Sequence, residues 1–168
     1  VVATGYTGVL TVTAADTDLN TSASTLTGGS SVSDVLSITA SGGTILTTDL
    51  DNVTNIENFN IVGTTAAVSI ALSDANATYT SSTVYDTLTV NASSLTTGVA
   101  TIDASAEATG KVVIIGGGAA DVITGSTSAN FGDSITGNAG ADIFQFNATS
   151  LTSADTVAGG DGTDVIRF

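Results

Sequence analysis

Short runs in which apolar and polar residues alternate recur along this chain. Val9-Leu10-Thr11-Val12-Thr13 is the first, followed by Val35-Leu36-Ser37-Ile38-Thr39. Ile56-Glu57-Asn58-Phe59-Asn60-Ile61, Val68-Ser69-Ile70-Ala71-Leu72 and Leu88-Thr89-Val90-Asn91 continue the series, and the continuous apolar run Val112-Val113-Ile114-Ile115 ends it. Side chains alternate across a strand, so this period of two marks strands with one buried face. Gly, Asn, Asp and Ser clusters bound each run, as turn chemistry requires. Helical spacing is scarce. One segment, around Thr48–Asn55, predicts a single helical turn with Asp49 or Asp51 as its cap. The pattern is all-β.

Strands without intervening helices fit a sandwich, a barrel or a solenoid, and internal repeats decide between them. Residues 116–167 divide into five nonapeptides, which begin at Gly116, Ser128, Gly137, Ser150 and Gly159. Position six is Asp in every unit: Asp121, Asp133, Asp142, Asp155 and Asp164. Position eight is a large apolar residue: Ile123, Ile135, Phe144, Val157 and Ile166. Glycines at the first, second and fourth positions permit tight turning, because they lack the Cβ that penalises positive φ. The turn then directs backbone carbonyls and one carboxylate toward a common point. Calcium takes six to eight oxygen ligands, more than one such turn supplies, so two stacked turns would share an ion. The same residues have a second reading. Asp in a Gly-rich turn also accepts hydrogen bonds from its own backbone, with no metal present.

Gly159-Gly160-Asp161-Gly162-Thr163-Asp164-Val165-Ile166-Arg167 resembles the nonapeptide of RTX proteins in full. The unit at 137–145 departs from it at Asn138 and the unit at 116–124 at Ala119, while those at 128 and 150 keep only the Asp and the apolar residue. The resemblance implies a parallel β-roll, in which two nonapeptides form one coil and calcium sits between coils. The candidate metal ligands are Asp121, Asp133, Asp142, Asp155, Asp161 and Asp164, with the turn positions Gly116, Gly118, Gly137, Ala139 and Gly159. Asp34, which follows Gly28-Gly29, and Asp86 look like degenerate relatives and read as turn residues.

Residues 1–115 are looser. Asn52–Ile61 and Asp86–Ala92 resemble segments that precede RTX repeats in bacterial surface-layer proteins, which are Thr- and Ala-rich, acidic and free of Cys. The expected architecture is a right-handed parallel β-solenoid, irregular over 1–115 and roll-like over 116–168, continuous between the two. Asn55, Asn58, Asn60 and Asn91 are expected to stack in ladders or to cap turns. The family context implies export from the cell and folding triggered by calcium outside it.

Charge sharpens the cation reading. Asp and Glu number 16 against two basic residues, Lys111 and Arg167, for a net charge of −14. That surface repels nucleic acid and anionic membranes, and its self-repulsion favours partners that are cations. The absence of Cys and His removes thiolate sites and the usual zinc ligand, leaving oxygen-ligand metals. No stretch reaches the roughly 20 apolar residues of a membrane span. Val1-Val2-Ala3-Thr4 has no basic leader region and no Met, as expected of a segment from a longer polypeptide. Val165–Phe168 reads as an uncapped terminal strand, which either further chain or a second subunit would cover.

The leading functional expectation is a structural, secreted, non-enzymatic protein: a calcium-stabilised subunit of a surface layer or filament that self-associates and attaches to cell-surface polysaccharide. Two others stand beside it. One is an RTX adhesion or secretion module of a larger effector. The other is a polysaccharide-active β-helix enzyme, for which Asp16 with Asp18, or Asp49 with Asp51, would be the carboxylate pair. Those pairs read more simply as solvated turn residues. Aromatic platforms for sugars are scarce, with no Trp, three Tyr and five Phe.

Overall fold

The computed structural model describes residues 1–19, 25–77 and 87–168. Asp86 lies outside the described residues. Among the described residues, fifteen strands and two short helical turns follow one another. In chain order they are β1 (Thr11–Ala15), α1 (Asp16–Leu19), β2 (Leu26–Thr27), β3 (Val35–Thr39), β4 (Thr44–Ile45), α2 (Thr47–Leu50), β5 (Val53–Thr54), β6 (Asn58–Val62) and β7 (Val68–Ser73). The chain continues with β8 (Thr87–Asn91), β9 (Ala100–Ala106), β10 (Lys111–Ile115), β11 (Val122–Thr124), β12 (Ser134–Ala139), β13 (Ile143–Gln145), β14 (Thr156–Asp161) and β15 (Val165–Arg167).

These strands form a parallel β-solenoid. One sheet runs β1-β3-β6-β8-β10-β12-β14, the other β15-β13-β11-β9-β7-β4, and β2 pairs β5 on a small third face. Each pairing between the described strands is parallel; the opening coil runs from β1 through α1 and β2 to β3, and from β3 onward the chain alternates between the first sheet and the second, with β5 interposed once. The first sheet crosses residue 115 without a break, since β10 pairs with both β8 and β12.

Register explains why the alternating runs matter. On the first sheet Val12, Leu36, Phe59, Val90, Ile114, Ile135 and Val157 stack in one inward column. On the second, Ile45, Ile70, Ile102, Ile123, Phe144 and Ile166 do the same. The middle members of both columns are buried, so the core is a pair of apolar ladders facing each other. β-branched and aromatic side chains suit this pleated, close-packed surface. Between the strands the outward positions carry Thr, Ser and Asn. Asn60 and Asn91 are register partners there, and Asn58 and Asn55 donate their side-chain amides to the carbonyls of Asp34 and Gly29.

The coils change in length along the stack. Leu10 reaches Asp34 across 24 residues and Asp34 reaches Glu57 across 23. Asp121, Asp142 and Asp164 are spaced by 21 and 22. The longer early coils accommodate the third face and the helical turns. In α2, Asp49 accepts the N–H of Leu46 at 2.9 Å, which braces the turn, while Asp51 follows the last helical residue and accepts the Ser73 hydroxyl. The N-cap position is thus Leu46, braced by Asp49 from the third helical position, and Asp51 stands at the C-cap of a turn that starts and ends earlier than the sequence pattern outlined.

Candidate metal-binding turns

The five nonapeptides alternate between sheets. Units beginning at 116, 137 and 159 end in β11, β13 and β15, and units beginning at 128 and 150 lead into β12 and β14. Their Asp residues consequently form two columns, one at each turn of the solenoid. Asp121, Asp142 and Asp164 stack ahead of the second sheet, and Asp133 and Asp155 ahead of the first.

Each column is a chain of carboxylate-to-backbone hydrogen bonds. The backbone N–H of Ala100 donates to Asp121 Oδ1, that of Asp121 to Asp142 Oδ1, and that of Asp142 to Asp164 Oδ1, at 2.8, 2.8 and 3.0 Å. On the other column Val112 N–H donates to Asp133 and Asp133 N–H to Asp155, at 3.3 and 2.7 Å. The first strand position of one coil is thus satisfied by the carboxylate one coil further on. The parallel ladder alone would leave that donor at the sheet margin without a partner.

The second carboxylate oxygen distinguishes the units. Asp121 Oδ2 accepts Gly117 N–H at 2.6 Å, Asp133 Oδ2 accepts Ser126 N–H at 2.9 Å, and Asp155 Oδ2 accepts Thr152 N–H at 2.5 Å. In these three the carboxylate closes its own turn. Asp142 differs: its Oδ2 is buried and has no hydrogen-bond partner. The glycine-rich turns also differ in conformation. Asn138 and Gly160 at position two, and Gly140 and Gly162 at position four, all have positive φ, of 76°, 105°, 134° and 144°. The turn of the 116 unit, with Ala119 at position four, has no residue of positive φ.

Glycine is required here for space as well. A Cβ on Gly137 would overlap Asp142 Oδ2, one on Gly159 would overlap Asp164 Oδ2, and one on Gly162 would overlap the Gly140 carbonyl. The turns at 137 and 159 are therefore cradles in which backbone, carboxylate and the next coil touch. Some carbonyls are already engaged: Gly116 O accepts the Asn138 amide at 2.7 Å, and Asp161 O accepts Gly140 N–H at 2.9 Å. Asp161 and Gly118 are exposed, Ala139 and Gly159 are half-buried, and Gly116 and Gly137 are buried.

Electrostatics follow from the stacking. Burial pushes the carboxyls of Asp121, Asp133 and Asp142 up. Backbone donors oppose the rise, and the next carboxylate in the column (Asp142, Asp155 and Asp164 respectively) adds to it. Like charges held one coil apart at low dielectric favour either protonation or a shared cation. Among the described residues, no group of three or more acidic, His or Cys side chains gathers at one point. Any ion in these turns would draw on carbonyls and water as well.

A calcium ion fits the donor set of the 137 and 159 turns, which combine an unpartnered buried carboxylate oxygen, a second carboxylate one coil on and glycine cradles. The turns around Asp121, Asp133 and Asp155 have both carboxylate oxygens occupied by backbone donors.

The same brace appears where sequence reading did not weigh it as a system. Asp34 accepts Leu10 N–H at 2.8 Å and Gly29 N–H at 2.6 Å, and its own N–H donates to Glu57 at 2.8 Å. Gly28-Gly29 ahead of Asp34 was the available signal. Asp16, expected to be solvated, is fully buried: it accepts N–H donors from Thr17, Ser41 and Gly43, and the Ser41 hydroxyl. Burial raises its carboxyl, but these donors, Ser41 foremost, outweigh that and hold it below its ordinary value. Asp49 is buried too, whereas Asp18 and Asp51 are exposed, so each would-be pair divides into a buried brace and a surface residue.

Among the described residues no helix is long and apolar enough to cross a membrane. No protein-family model matches this chain, and neither a curated protein nor a solved structure matches it.

Proposed function

We propose that this chain is a calcium-stabilised structural module of an extracellular assembly, related to RTX repeat proteins, such as a surface layer or filament. The observation that supports it is Asp142 Oδ2, a carboxylate oxygen buried without a donor between two glycine-rich turns. Leaving a buried acceptor unsatisfied costs about 1–3 kcal/mol, more for a charged group. A divalent cation held between the 137 and 159 turns would remove that cost and offset the repulsion between Asp142 and Asp164. The chain's own part is to hold the oxygens in place: the glycines let the turns stack, and the column of N–H bonds fixes each carboxylate.

The net charge of −14 supports the same reading, because a bound cation reduces self-repulsion in the compact state. Extracellular calcium modules bind with dissociation constants of about 10⁻⁴–10⁻³ M. At 100 times that constant a site contributes about 2.7 kcal/mol to folding, a large fraction of a domain's usual 5–15 kcal/mol. Such a chain is less stable at low calcium and gains stability outside the cell. In the two carboxylate pairs weighed for acid–base work, Asp16 accepts three backbone N–H groups and the Ser41 hydroxyl, Asp49 accepts the Leu46 N–H, and Asp18 and Asp51 are exposed, which favours structural roles for these residues.

The test is a calcium titration of an EGTA-treated sample, followed by circular dichroism and light scattering. The reading requires β-signal or thermal stability to rise with calcium and scattering to follow. A chain whose folding and association are indifferent to calcium would leave the Asp-Gly turns as metal-free braces.

A further inference from the structure

A second acidic corner lies away from the glycine-rich turns, where the chain leaves the second sheet for the first. Ser73 and Ala106 are register partners on β7 and β9, so Asp74 and Glu107 are the next residues out of the sheet on neighbouring coils. Asp74 Oδ1 accepts Ala108 N–H at 2.6 Å, which fixes its carboxylate beside the Glu107 turn. Glu107 is fully buried. Its Oε1 accepts Thr109 N–H at 2.7 Å, Gly110 N–H at 2.6 Å and the Thr109 hydroxyl at 3.2 Å. Its Oε2 is buried and has no partner.

The coil on the other side contributes a third oxygen. Thr127 donates both its N–H and its hydroxyl to the Glu107 carbonyl, at 2.8 and 3.0 Å, which docks this loop onto the Glu107 turn. The next residue, Ser128, is 3% exposed, and its hydroxyl is also buried without a partner. Two unsatisfied buried oxygens therefore occur on adjacent, hydrogen-bonded loops, with a fixed surface carboxylate on the third. Native structures hold few such groups, and each points to something that completes it.

A cation completes this corner better than a proton or a water. Three donors on Oε1 stabilise Glu107 as the carboxylate. A water would supply a donor to Oε2 but would leave two negative charges facing each other. Burial already pushes the Glu107 carboxyl up, and the charge of Asp74 pushes it further. A hard divalent ion takes oxygen ligands of this kind and cancels both charges. We propose that Glu107, Asp74 and Ser128 form a separate site for one calcium-class divalent cation. It clamps three successive coils at the corner opposite the Asp142–Asp164 turns. The site stands independently of those turns.

The experiment counts calcium ions bound per chain by equilibrium dialysis, in wild type, Glu107→Gln, Asp74→Asn and the pair Asp142→Asn/Asp164→Asn. The site predicts that Glu107→Gln, which is isosteric, binds one ion fewer. It predicts that Asp74→Asn, at an exposed position, weakens that same ion about tenfold, the change that loss of one ligand charge brings in a shallow site. The Asp142/Asp164 variant keeps this ion whatever it loses elsewhere. An unchanged count and affinity in Glu107→Gln overturns the site and leaves Glu107 as a neutral turn cap. If Glu107→Gln does not fold, Asp74→Asn decides: unchanged affinity overturns the site. Loss of no ion in the Asp142/Asp164 variant sinks the glycine-turn reading alone, so the two failures are separable.

Discussion

Asp142 accepts the backbone N–H of Asp121 at 2.8 Å, although 21 residues separate them in the chain. The contact joins two successive turns of the solenoid and is repeated one coil on by Asp164 and Asp142. These residues are thus braces of the stack before they are anything else. Asp121→Ala removes the acceptor for two buried donors, Ala100 N–H and Gly117 N–H. At about 1–2 kcal/mol for each orphaned donor, the expected loss is about 2–4 kcal/mol in calcium-free buffer. Urea unfolding in EGTA measures it, and a loss below ~0.5 kcal/mol, the range of ordinary surface changes, would contradict the brace.

Two glycines with positive φ separate strain from crowding. Gly42 has φ of 97° and open space where a Cβ would stand. Gly162 has φ of 144°, and its Cβ would overlap the Gly140 carbonyl on the coil below. Gly42→Ala is expected to cost about 1 kcal/mol, from backbone strain alone. Gly162→Ala is expected to cost about 2–3 kcal/mol, because the coils must also move apart. Equal melting temperatures for the two variants would refute close stacking of the last two turns.

The carboxyl shifts give a pH dependence with a definite sign. Asp121, Asp133, Asp142 and Glu107 are all pushed up in the folded chain, chiefly by burial. The folded state then binds more protons than the unfolded one between the ordinary carboxyl range, about 3.9–4.3, and the raised values. Stability therefore falls as pH rises through that window and is regained on acidification. Asp16 is held low and opposes the trend, losing its contribution as pH falls through its own depressed value. With four raised groups against one lowered, the calcium-free chain should melt at a higher temperature at the top of the ordinary carboxyl range, about pH 4.3, than at pH 7. Calcium should shrink the gain, since ion and proton compete for the same oxygens. Thermal melts across this range in EGTA decide it, and a Tm that drops steadily on acidification contradicts the raised carboxyls.

Much of this fold was legible in the sequence because a solenoid repeats one simple rule. Alternation located β3 residue for residue, and β6, β7, β8 and β10 to within about two residues at each end, the usual uncertainty of strand margins. The strands of the five nonapeptides alternate between the two sheets, β11, β13 and β15 on one and β12 and β14 on the other. β9 escaped notice because Ala100-Thr101-Ile102-Asp103-Ala104 alternates with small residues, and Ala gives a faint apolar signal. The braces were harder to see. Asp16 and Glu107 carry no local motif, and their donors are set by loop packing or, for Asp16, lie 25 to 27 residues away. Only the coil length, which composition does not reveal, brings Asp16 to Ser41 and Gly43.

The inward columns make a packing prediction. Phe144 lies between Ile123 and Ile166 in register and is 1% exposed. Phe144→Ala should cost about 3–5 kcal/mol, because the rigid coils on either side cannot collapse into the space. Phe168→Ala, at a side chain that is 77% exposed, should fall within about 0.5 kcal/mol of wild type. Comparable losses at the two positions would contradict the inward ladder.

Calcium should separate two Asp residues that look alike in sequence. Asp142→Ala orphans one donor, Asp121 N–H, so in EGTA it should cost about 1–2 kcal/mol, less than Asp121→Ala. Asp121 has both oxygens committed to backbone, whereas Asp142 Oδ2 is buried without a hydrogen-bond partner. If the 137 and 159 turns share one calcium, saturation at 100 times its dissociation constant adds about 2.7 kcal/mol to the wild type and to Asp121→Ala. Asp142→Ala should gain little from that ion. The gap between the two variants therefore reverses between EGTA and saturating calcium, with Asp142→Ala becoming the less stable. Parallel unfolding curves for both proteins in both buffers measure the reversal. An unchanged order, with equal calcium gains for the two variants, places the ion elsewhere and leaves the Asp142 column as a metal-free brace.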